Sequence, residues 1–210
     1  MNFGSYNSES FDLVLASRVI GSPKAKTSKV AVPGSDLTLD FTEAFGGVHY
    51  ENRTITLTFL SLEPWDDSVA NDTRLKNAIH GRKLHIVFDD DPDYYWIGRI
   101  NVGDWTYYKG ASKVQVTIDC EPYKYKARET TKSVTTTTSG SVTLTNGGRM
   151  AVVPTVSTNA EVTLAWTGYS VTISAGNNQV IPQLVLEEGS TTITITGSAT
   201  VSFKYREGSL

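Results

Sequence analysis

The sequence predicts a mainly β protein of two domains, and three patterns lead to that prediction. Apolar residues alternate with polar residues along several segments, as they do in half-buried strands. Turn-forming residues recur at short intervals between those segments. Charged residues are concentrated in the first part of the chain, since residues 133–203 contain only four of them. We therefore place a first domain at residues 1–132 and a second at residues 133–210.

The first domain is predicted to be a β-sandwich or split barrel. Its strands are expected, in chain order, at residues 11–20, 28–32, 37–41, 54–59, 84–88, 94–100 and 113–120. Ile55, Leu57 and Phe59 alternate with threonines, so they should face a core. Residues 84–100 form a hairpin, because the run Asp89–Asp93 contains a proline and stops the first strand.

One helix is expected between these strands. One of residues 66–68 can cap its start, and Val69, Leu75 and Ile79 share a face. Gly81 follows its last turn, where glycine commonly ends a helix. The helix should pack against the sheet of the first domain.

The second domain reads as a series of short strands separated by turns. The strands are expected at residues 142–144, 162–166, 171–173, 180–186, 191–196 and 199–205. This regular spacing is typical of an all-β sandwich of jelly-roll or similar topology. The threonine-rich run at residues 130–138 is either a flexible linker or the first strand of this domain.

Several short motifs of the first domain occur in a consistent order and spacing. They are Phe45-Gly46-Gly47, Asn52 through Phe59, Leu75 through Lys83, Asp91 through Tyr95 with Gly98-Arg99, and Cys120 through Tyr125. On these motifs the chain resembles the siphophage distal tail proteins, which are tail-tip or baseplate hub proteins. The resemblance covers roughly residues 1–130. It implies that the second domain is a galectin-like sandwich.

The resemblance also implies a structural function. In that family the first domain forms a ring, usually hexameric, at the distal end of the tail tube, and DNA leaves through its opening. We therefore expect a homo-oligomer at the virion tail tip, made and assembled in the host bacterial cytoplasm. The implied partners are the major tail tube protein, the tail-associated tip protein, the tape measure protein and receptor-binding proteins. No enzymatic activity and no cofactor are expected.

Two other functions remain open from the residues. The first is a tail-associated carbohydrate-binding module that recognises the host cell wall. The second is an autonomous glycan hydrolase, for which the first domain offers four carboxylates: Glu43, Glu51, Glu63 and Glu121. None of these lies in a motif that shifts a pKa in a recognisable way.

Composition limits the partners. The chain has 19 basic and 22 acidic residues, a formal net charge of −3, so DNA should pass without stable binding. Cys120 is the only cysteine, which excludes an intramolecular disulfide, and its place in an alternating strand predicts a buried thiol. No apolar segment is long enough to insert into a membrane.

The aromatic residues are the main candidates for contact sites. Six of them fall close together, at Tyr94, Tyr95, Trp96, Trp105, Tyr107 and Tyr108, where they serve either the core or a protein interface. Trp166 and Tyr169 flank a turn of the second domain and serve either packing or stacking on a sugar.

No catalytic or metal site is predicted. The run Asp89–Asp93 is the best candidate for a cation, but it lacks the glycine and the closing glutamate of a calcium loop, so a solvated turn is favoured. His49, His80 and His85 show no zinc or triad spacing.

Overall fold

The computed structural model describes residues 1–44, 46–61, 65–108 and 110–210, without the side chains of residues 65, 66, 68 and 108. It confirms the predicted mainly β fold. Contacts divide the chain into two compact units, Met1–Pro122 and Tyr123–Leu210. The domain boundary predicted at residue 132 lies ten residues beyond this division, inside a strand.

The first unit contains a long antiparallel sheet, a separate two-stranded hairpin and one α-helix. Its elements are β1 (Asn2–Phe3), β2 (Tyr6–Asn7), a 3₁₀ helix (Ser8–Phe11), β3 (Val14–Ile20), β4 (Lys29–Ala31), β5 (Thr38–Asp40), β6 (Arg53–Ser61), α1 (Trp65–Ile79), β7 (Lys83–Val87), β8 (Tyr94–Tyr108) and β9 (Ala111–Cys120). The sheet has the strand order β2-β1-β7-β8-β9-β6-β3, and β4 pairs with β5. The predicted hairpin over residues 84–100 is confirmed as the antiparallel pair of β7 and β8.

The core of the first unit lies on one face of this sheet. Ile55, Leu57 and Phe59 of β6 are fully buried, as their alternation with threonines predicts. They belong to one cluster with inward residues of β8 and β9 and with Leu75 and Ile79 of α1. The threonines of β6 are exposed or half-buried, because successive side chains of a strand point to opposite faces.

The helix α1 is the only α-helix of the described residues. It begins at Trp65, so the predicted cap at residues 66–68 is wrong and those residues lie in its first turn. Acidic and hydroxyl residues favour both the cap and the first turn, which is why the pattern did not separate the two. The predicted end is confirmed by Gly81, whose φ is 73°. Within the described residues no helix has the length and hydropathy that a membrane span requires.

The second unit is a β-sandwich. Its strands are β10 (Lys124–Lys126), β11 (Thr130–Thr136), β12 (Ser139–Asn146), β13 (Thr155–Thr158), β14 (Val162–Trp166), β15 (Tyr169–Ile173), β16 (Gly176–Val180), β17 (Gly189–Thr196), β18 (Ala199–Tyr205) and β19 (Gly208–Ser209). The two sheets have the orders β11-β18-β13-β16 and β12-β17-β14-β15, and they share one apolar core. β10 pairs with β19.

The pairing within the sandwich is nested. β11 pairs with β18, β12 with β17, β13 with β16 and β14 with β15. This is a long hairpin of eight strands rolled into two sheets, which is the jelly-roll topology of the prediction. Leu164, Ile195, Val201 and Phe203 are fully buried between the sheets.

Two segments of the second unit differ from the prediction. The strand expected at residues 180–186 is wrong, because β16 ends at Val180 and Pro182 then removes a backbone donor. The turn expected at residues 176–178 is instead part of β16, which pairs with the unpredicted strand β13. The threonine-rich run forms a strand, β11, so of its two alternatives the strand is correct.

Candidate functional site

The least packed part of the first unit lies between Val14 and Asn52. None of its described residues is buried, although it includes β3, β4 and β5. It carries seven of the fourteen exposed large apolar side chains of the described residues: Val14, Val19, Ile20, Val30, Leu37, Leu39 and Phe41. So much exposed apolar surface in one segment indicates a contact with another molecule.

Residues 22–44 and 46–52 form a two-stranded ribbon, and we call the segment 22–52 the arm. It continues the antiparallel pair of β3 and β6, with backbone hydrogen bonds from Gly21 N to Thr54 O at 2.9 Å and from Lys26 N to His49 O at 2.8 Å. The β4–β5 hairpin forms its tip. A two-stranded ribbon without a packed layer is marginally stable in water. The arm is therefore expected to be covered in an assembly.

The tip of the arm has one apolar face. Val30 lies opposite Leu39 in the ladder, and Val32 N donates a hydrogen bond to Leu37 O at 3.1 Å. Because side chains alternate along a strand, these four residues and Phe41 share a face. A lysine–aspartate pair at 3.8 Å lies on the opposite face.

The terminal strand of the sheet, β3, is the second exposed element. Within the part of the chain that the structure describes, one side of its backbone has no neighbouring strand. Val14 and Val19 are 67% and 62% exposed, and a bulge separates Leu15 from Ser17. An exposed apolar edge strand is a template for pairing with another chain.

The sheet curls so that β3 approaches the turn after β7. Arg18 of β3 donates two hydrogen bonds to Asp90, at 2.8 and 2.7 Å, and its guanidinium lies 4.3 Å from the centre of the Phe88 ring. These hydrogen bonds lower the pKa of the Asp90 carboxyl. The contact brings the terminal strand β3 to the β7–β8 turn, although the two are not neighbours in the sheet.

A groove of about 450 Å³ lies beside this contact, and we call it the edge groove. Its lining includes the apolar Leu13, Leu15 and Phe88, and it carries the acidic Glu9, Asp89 and Asp90 beside the basic Arg18. Asp89 pairs with the amino group of Met1 at 2.7 Å. The edge groove thus combines apolar side chains, a small excess of negative charge and a terminal strand.

The open face of β8 and β9 is polar. A shallow depression of about 450 Å³ lies over these strands and is lined by Asn101, Gly103, Asp104, Thr106, Lys113, Gln115 and Thr117. The depression contains one acid and one base, so it carries no net formal charge. It is a surface that water or a passing polyanion contacts without strong attraction.

Of the aromatic cluster predicted for a core or an interface, Trp96 and Trp105 lie in the core and Tyr107 packs against it. Trp96 and Trp105 are 4% and 8% exposed and belong to the core. Tyr94 and Tyr95 are half-buried, and Tyr95 stacks on His85 with ring centres 4.5 Å apart. Tyr107 is half-buried beside Trp105, with ring centres 6.3 Å apart, and the side chain of Tyr108 lies outside the described residues. Burial raises the pKa of Tyr107.

The proposed glycan contact in the second unit is an aromatic stack. Trp166 and Tyr169 pair across a two-residue turn with ring centres 5.7 Å apart. Trp166 is 8% exposed and belongs to the core, whereas Tyr169 is 54% exposed. Only Tyr169 therefore offers a ring face to a ligand.

Several residues considered for catalysis or metal binding have structural contacts. Glu121 pairs with Lys83 at 2.6 Å, and His80 Nδ1 accepts a hydrogen bond from Val102 N at 3.1 Å. Glu63 lies outside the described residues. Among the described residues no three His, Cys, Asp or Glu side chains form a group that suits a metal ion.

Two unusual groups are buried near the start of β6. Cys120 is fully buried, as predicted, and burial raises the pKa of its thiol to about 12. Arg53, its neighbour in the ladder, is 6% exposed and lies 4.8 Å from the centre of the Trp96 ring. The Nε and Nη2 atoms of Arg53 have no hydrogen-bond partner, and burial lowers its pKa.

Sequence reasoning did not identify the arm or the edge groove as a site. The alternation at Leu37, Leu39 and Phe41 predicted a strand, but an apolar face that packs a core and one that packs a neighbour have the same period. The edge groove forms from segments distant in sequence, between β3 and the β7–β8 turn. A weak signal was present, since three lysines and no acid occur in residues 22–32.

Comparison with solved structures shows which known proteins share this fold. No family model and no curated protein sequence matches the chain. Solved structures do match. One match is the crystal structure of the Dit (gp 19.1) protein of SPP1, described as a paradigm of the hub adsorption apparatus in phages that infect Gram-positive bacteria.

The likeness to SPP1 Dit extends over the whole chain. The TM-score is 0.70 at 18% sequence identity, and the match covers 99% of this chain and 98% of that chain. At this identity the likeness shows a shared fold. The resemblance to siphophage distal tail proteins is confirmed at that level.

Proposed function

We propose that this chain is a structural protein of a phage tail tip and part of its adsorption apparatus. The observation that carries the proposal is the match to SPP1 Dit, which spans both units in the same order. A match to only one of the two units would support only a domain shared with SPP1 Dit. A match of both units supports a shared architecture of the assembly.

The finer proposal is a ring of six copies at the distal end of the tail tube, where the ring joins the tube to the tip or baseplate. The arm and β3 support it, because they expose apolar residues on two different surfaces of one unit. When one surface of a subunit binds a different surface of the next, each copy is rotated relative to the one before it. Such a contact closes a ring when the rotations add up to a full turn. The tube protein, the tip protein, the tape measure protein and receptor-binding proteins are the proposed partners.

The ring is further proposed to line the channel through which DNA leaves. Six copies would carry a formal charge of −18, six times −3. The polar depression over β8 and β9 has no basic excess. Duplex DNA binds proteins largely by releasing counterions to lysine and arginine, so such a wall would let it pass.

We assign the chain no enzymatic role. Two of the acidic residues that sequence analysis singled out have cationic partners, since Asp90 pairs with Arg18 and Glu121 pairs with Lys83. These contacts serve the fold of the first unit. They give a structural reason for the carboxylates without catalysis.

The test is the assembly state of the full-length chain. Native mass spectrometry and negative-stain electron microscopy over a concentration series should show closed rings of six, either alone or after addition of the adjoining tip protein. Antibody labelling of virions should mark the end of the tail. A chain that stays monomeric with the tip protein present would contradict the ring.

The carbohydrate-binding alternative rests on Tyr169. Its ring is 54% exposed and is held flat by the stack on Trp166, which is how a sugar-binding platform is built. Titration of cell-wall glycans against the wild type and Tyr169→Ala separates the two functions. Saturable binding that the substitution removes would favour the glycan module.

A further inference from the structure

We propose that the arm of one copy of this chain docks in the edge groove of the next copy, with β4 adding to β3 as a further strand. The inference rests on the proposed function, because it specifies the contact that closes the ring. The occupant is a second copy of the chain. The contact joins two unlike surfaces of the first unit.

The arm is held away from the groove of its own chain. Its base is in register with β6 through Gly21 N to Thr54 O at 2.9 Å and Glu51 N to Lys24 O at 2.8 Å. These bonds extend the ribbon beyond the end of β3, and every residue of β4 and β5 is exposed. Folding back onto β3 would break the bonds at the base. The apolar face of the tip is therefore available to a neighbour.

The edge groove has the features that an added strand uses. The outer side of β3 has no neighbouring strand, and β4 pairs only with β5 among the described residues, so each has one free backbone edge. Strand addition gains main-chain hydrogen bonds and places alternate side chains in the groove. Leu13, Leu15 and Phe88 line the groove, and Val30 and Leu39 lie on the apolar face of the arm.

Charge favours β4 as the strand of the arm that faces β3. Residues 22–32, which include β4, carry three lysines and no acid, whereas the acidic residues of the arm lie in its tip and returning strand. One of these lysines, Lys29, pairs with Asp40 of β5 at 3.8 Å. The lining of the edge groove carries three acids, Glu9, Asp89 and Asp90, against Arg18 and the amino group of Met1, so one negative charge is in excess. The side chains of Asp89 and Asp90 are 71% and 65% exposed and remain accessible to a second cation.

The same contact protects both exposed edges. An unpaired strand edge favours uncontrolled association, and natural β proteins cover such edges. In a closed ring every arm fills a groove and every groove receives an arm. No β3 edge is left free, which limits growth of the assembly.

Site-specific cross-linking tests the contact in the full-length chain. Ser17→Cys places a thiol on β3, Leu39→Cys places one on the arm, and Ser198→Cys places one in an exposed turn of the second unit as a control. Cys120 is buried and gives no background. Mixing the arm variant with the β3 variant and a short bismaleimide should give a cross-linked dimer about tenfold more abundant than mixing it with the control variant.

A pair of substitutions tests the apolar face. Leu39→Asp should raise the concentration needed for assembly roughly tenfold or more, because a carboxylate would enter the groove. Thr38→Asp is the matched control, since it adds the same charge one residue earlier on the opposite face. Unchanged circular dichroism and melting temperature in both variants show that the fold is retained.

The outcomes separate this contact from the ring itself. Rings that form without arm-to-β3 cross-links, or that tolerate Leu39→Asp as well as Thr38→Asp, overturn the contact and leave the ring in place. A wild type that never assembles overturns both. Efficient cross-linking of the arm variant to itself would show a symmetric contact and also overturn the proposal.

Discussion

Two buried charged side chains show how differently a residue can be accommodated in this protein. Glu207 is 5% exposed and accepts hydrogen bonds from Lys126 Nζ at 2.8 Å, Thr130 Oγ1 at 2.7 Å and Gly147 N at 2.9 Å. Burial alone would raise the pKa of Glu207, but these hydrogen bonds outweigh it and lower the pKa. Arg53, by contrast, is buried with two nitrogen atoms unpaired.

Glu207→Gln should lower the free energy of unfolding of the second unit by about 2 kcal/mol at pH 7, because it weakens charge-assisted hydrogen bonds. A carboxyl whose folded pKa is lowered stabilises the fold above its unfolded pKa, and that contribution is lost as pH falls through the folded value. The difference from wild type should therefore shrink in acid. Urea unfolding at pH 7 and in acid measures it, with the exposed Glu188→Gln as control. An equal loss at both pH values would show that charge is not the cause.

Arg53→Met should leave the first unit as stable or stabilise it by about 1 kcal/mol, because a buried unpaired donor costs more than an apolar side chain of similar length. Lys113→Met, an exposed change on the opposite face of the sheet, should have little effect. Urea midpoints of the two variants make the comparison. A clear loss of stability in Arg53→Met would mean that its contact with Trp96 outweighs the unpaired nitrogens.

At the scale of elements, the arm and β3 are ordered strands without a core of their own. Their described residues are all exposed or half-buried from Val14 to Asn52. Such elements contribute little to the stability of the free chain, since stability comes mainly from buried apolar area. Their amphipathic sequence is instead explained by a contact outside the chain.

Replacing residues 24–50 by an Asn-Gly turn should therefore leave the melting temperature of the first unit unchanged within a few degrees. The shortened chain should remain monomeric at concentrations where the wild type assembles. Differential scanning calorimetry and native mass spectrometry measure the two effects. A large fall in melting temperature would show that the arm supports its own unit.

The sequence predicts best those strands for which the apolar–polar alternation and the flanking turn residues indicate the same bounds. Residues 162–166 and 199–205 are strands at the predicted bounds, because turn residues flank a clean alternation. The segment 176–180 was mistaken because glycine and asparagine favour turns, yet here they pair with β13. The edge groove was not predictable, since Arg18 and Asp90 meet only after the sheet has curled.

At the scale of the whole molecule, each unit has its own apolar cluster. A chain with two separate cores commonly unfolds in two steps. The match to SPP1 Dit spans both units, whereas the motifs of the family resemblance lie in the first. We propose on this basis that the first unit builds the ring and the second contacts peripheral tip proteins.

A chain that ends at Pro122 should keep the ability to assemble, and calorimetry of the full chain should resolve two transitions. Virions that carry this truncation should keep full-length tails and adsorb poorly. The boundary is placed at residue 122 because a cut at residue 132 would leave part of β11 on the wrong fragment. Loss of tails in the truncated phage would make the second unit part of the ring and disprove the division of work.

The nested pairing of the jelly roll also determines the order in which the two units can fold during translation. β18 is the partner of β11, so the sheet β11-β18-β13-β16 cannot be completed until residue 205 has left the ribosome. The first unit has all of its strands by residue 120 and can fold while the rest is still being translated. Pairing between strands distant in the chain is slow, because the chain loses the entropy of loop closure before the stabilising contacts form. Newly made chains thus display a finished arm and edge groove before the second unit is complete, and neighbouring copies on one messenger RNA can meet at that stage.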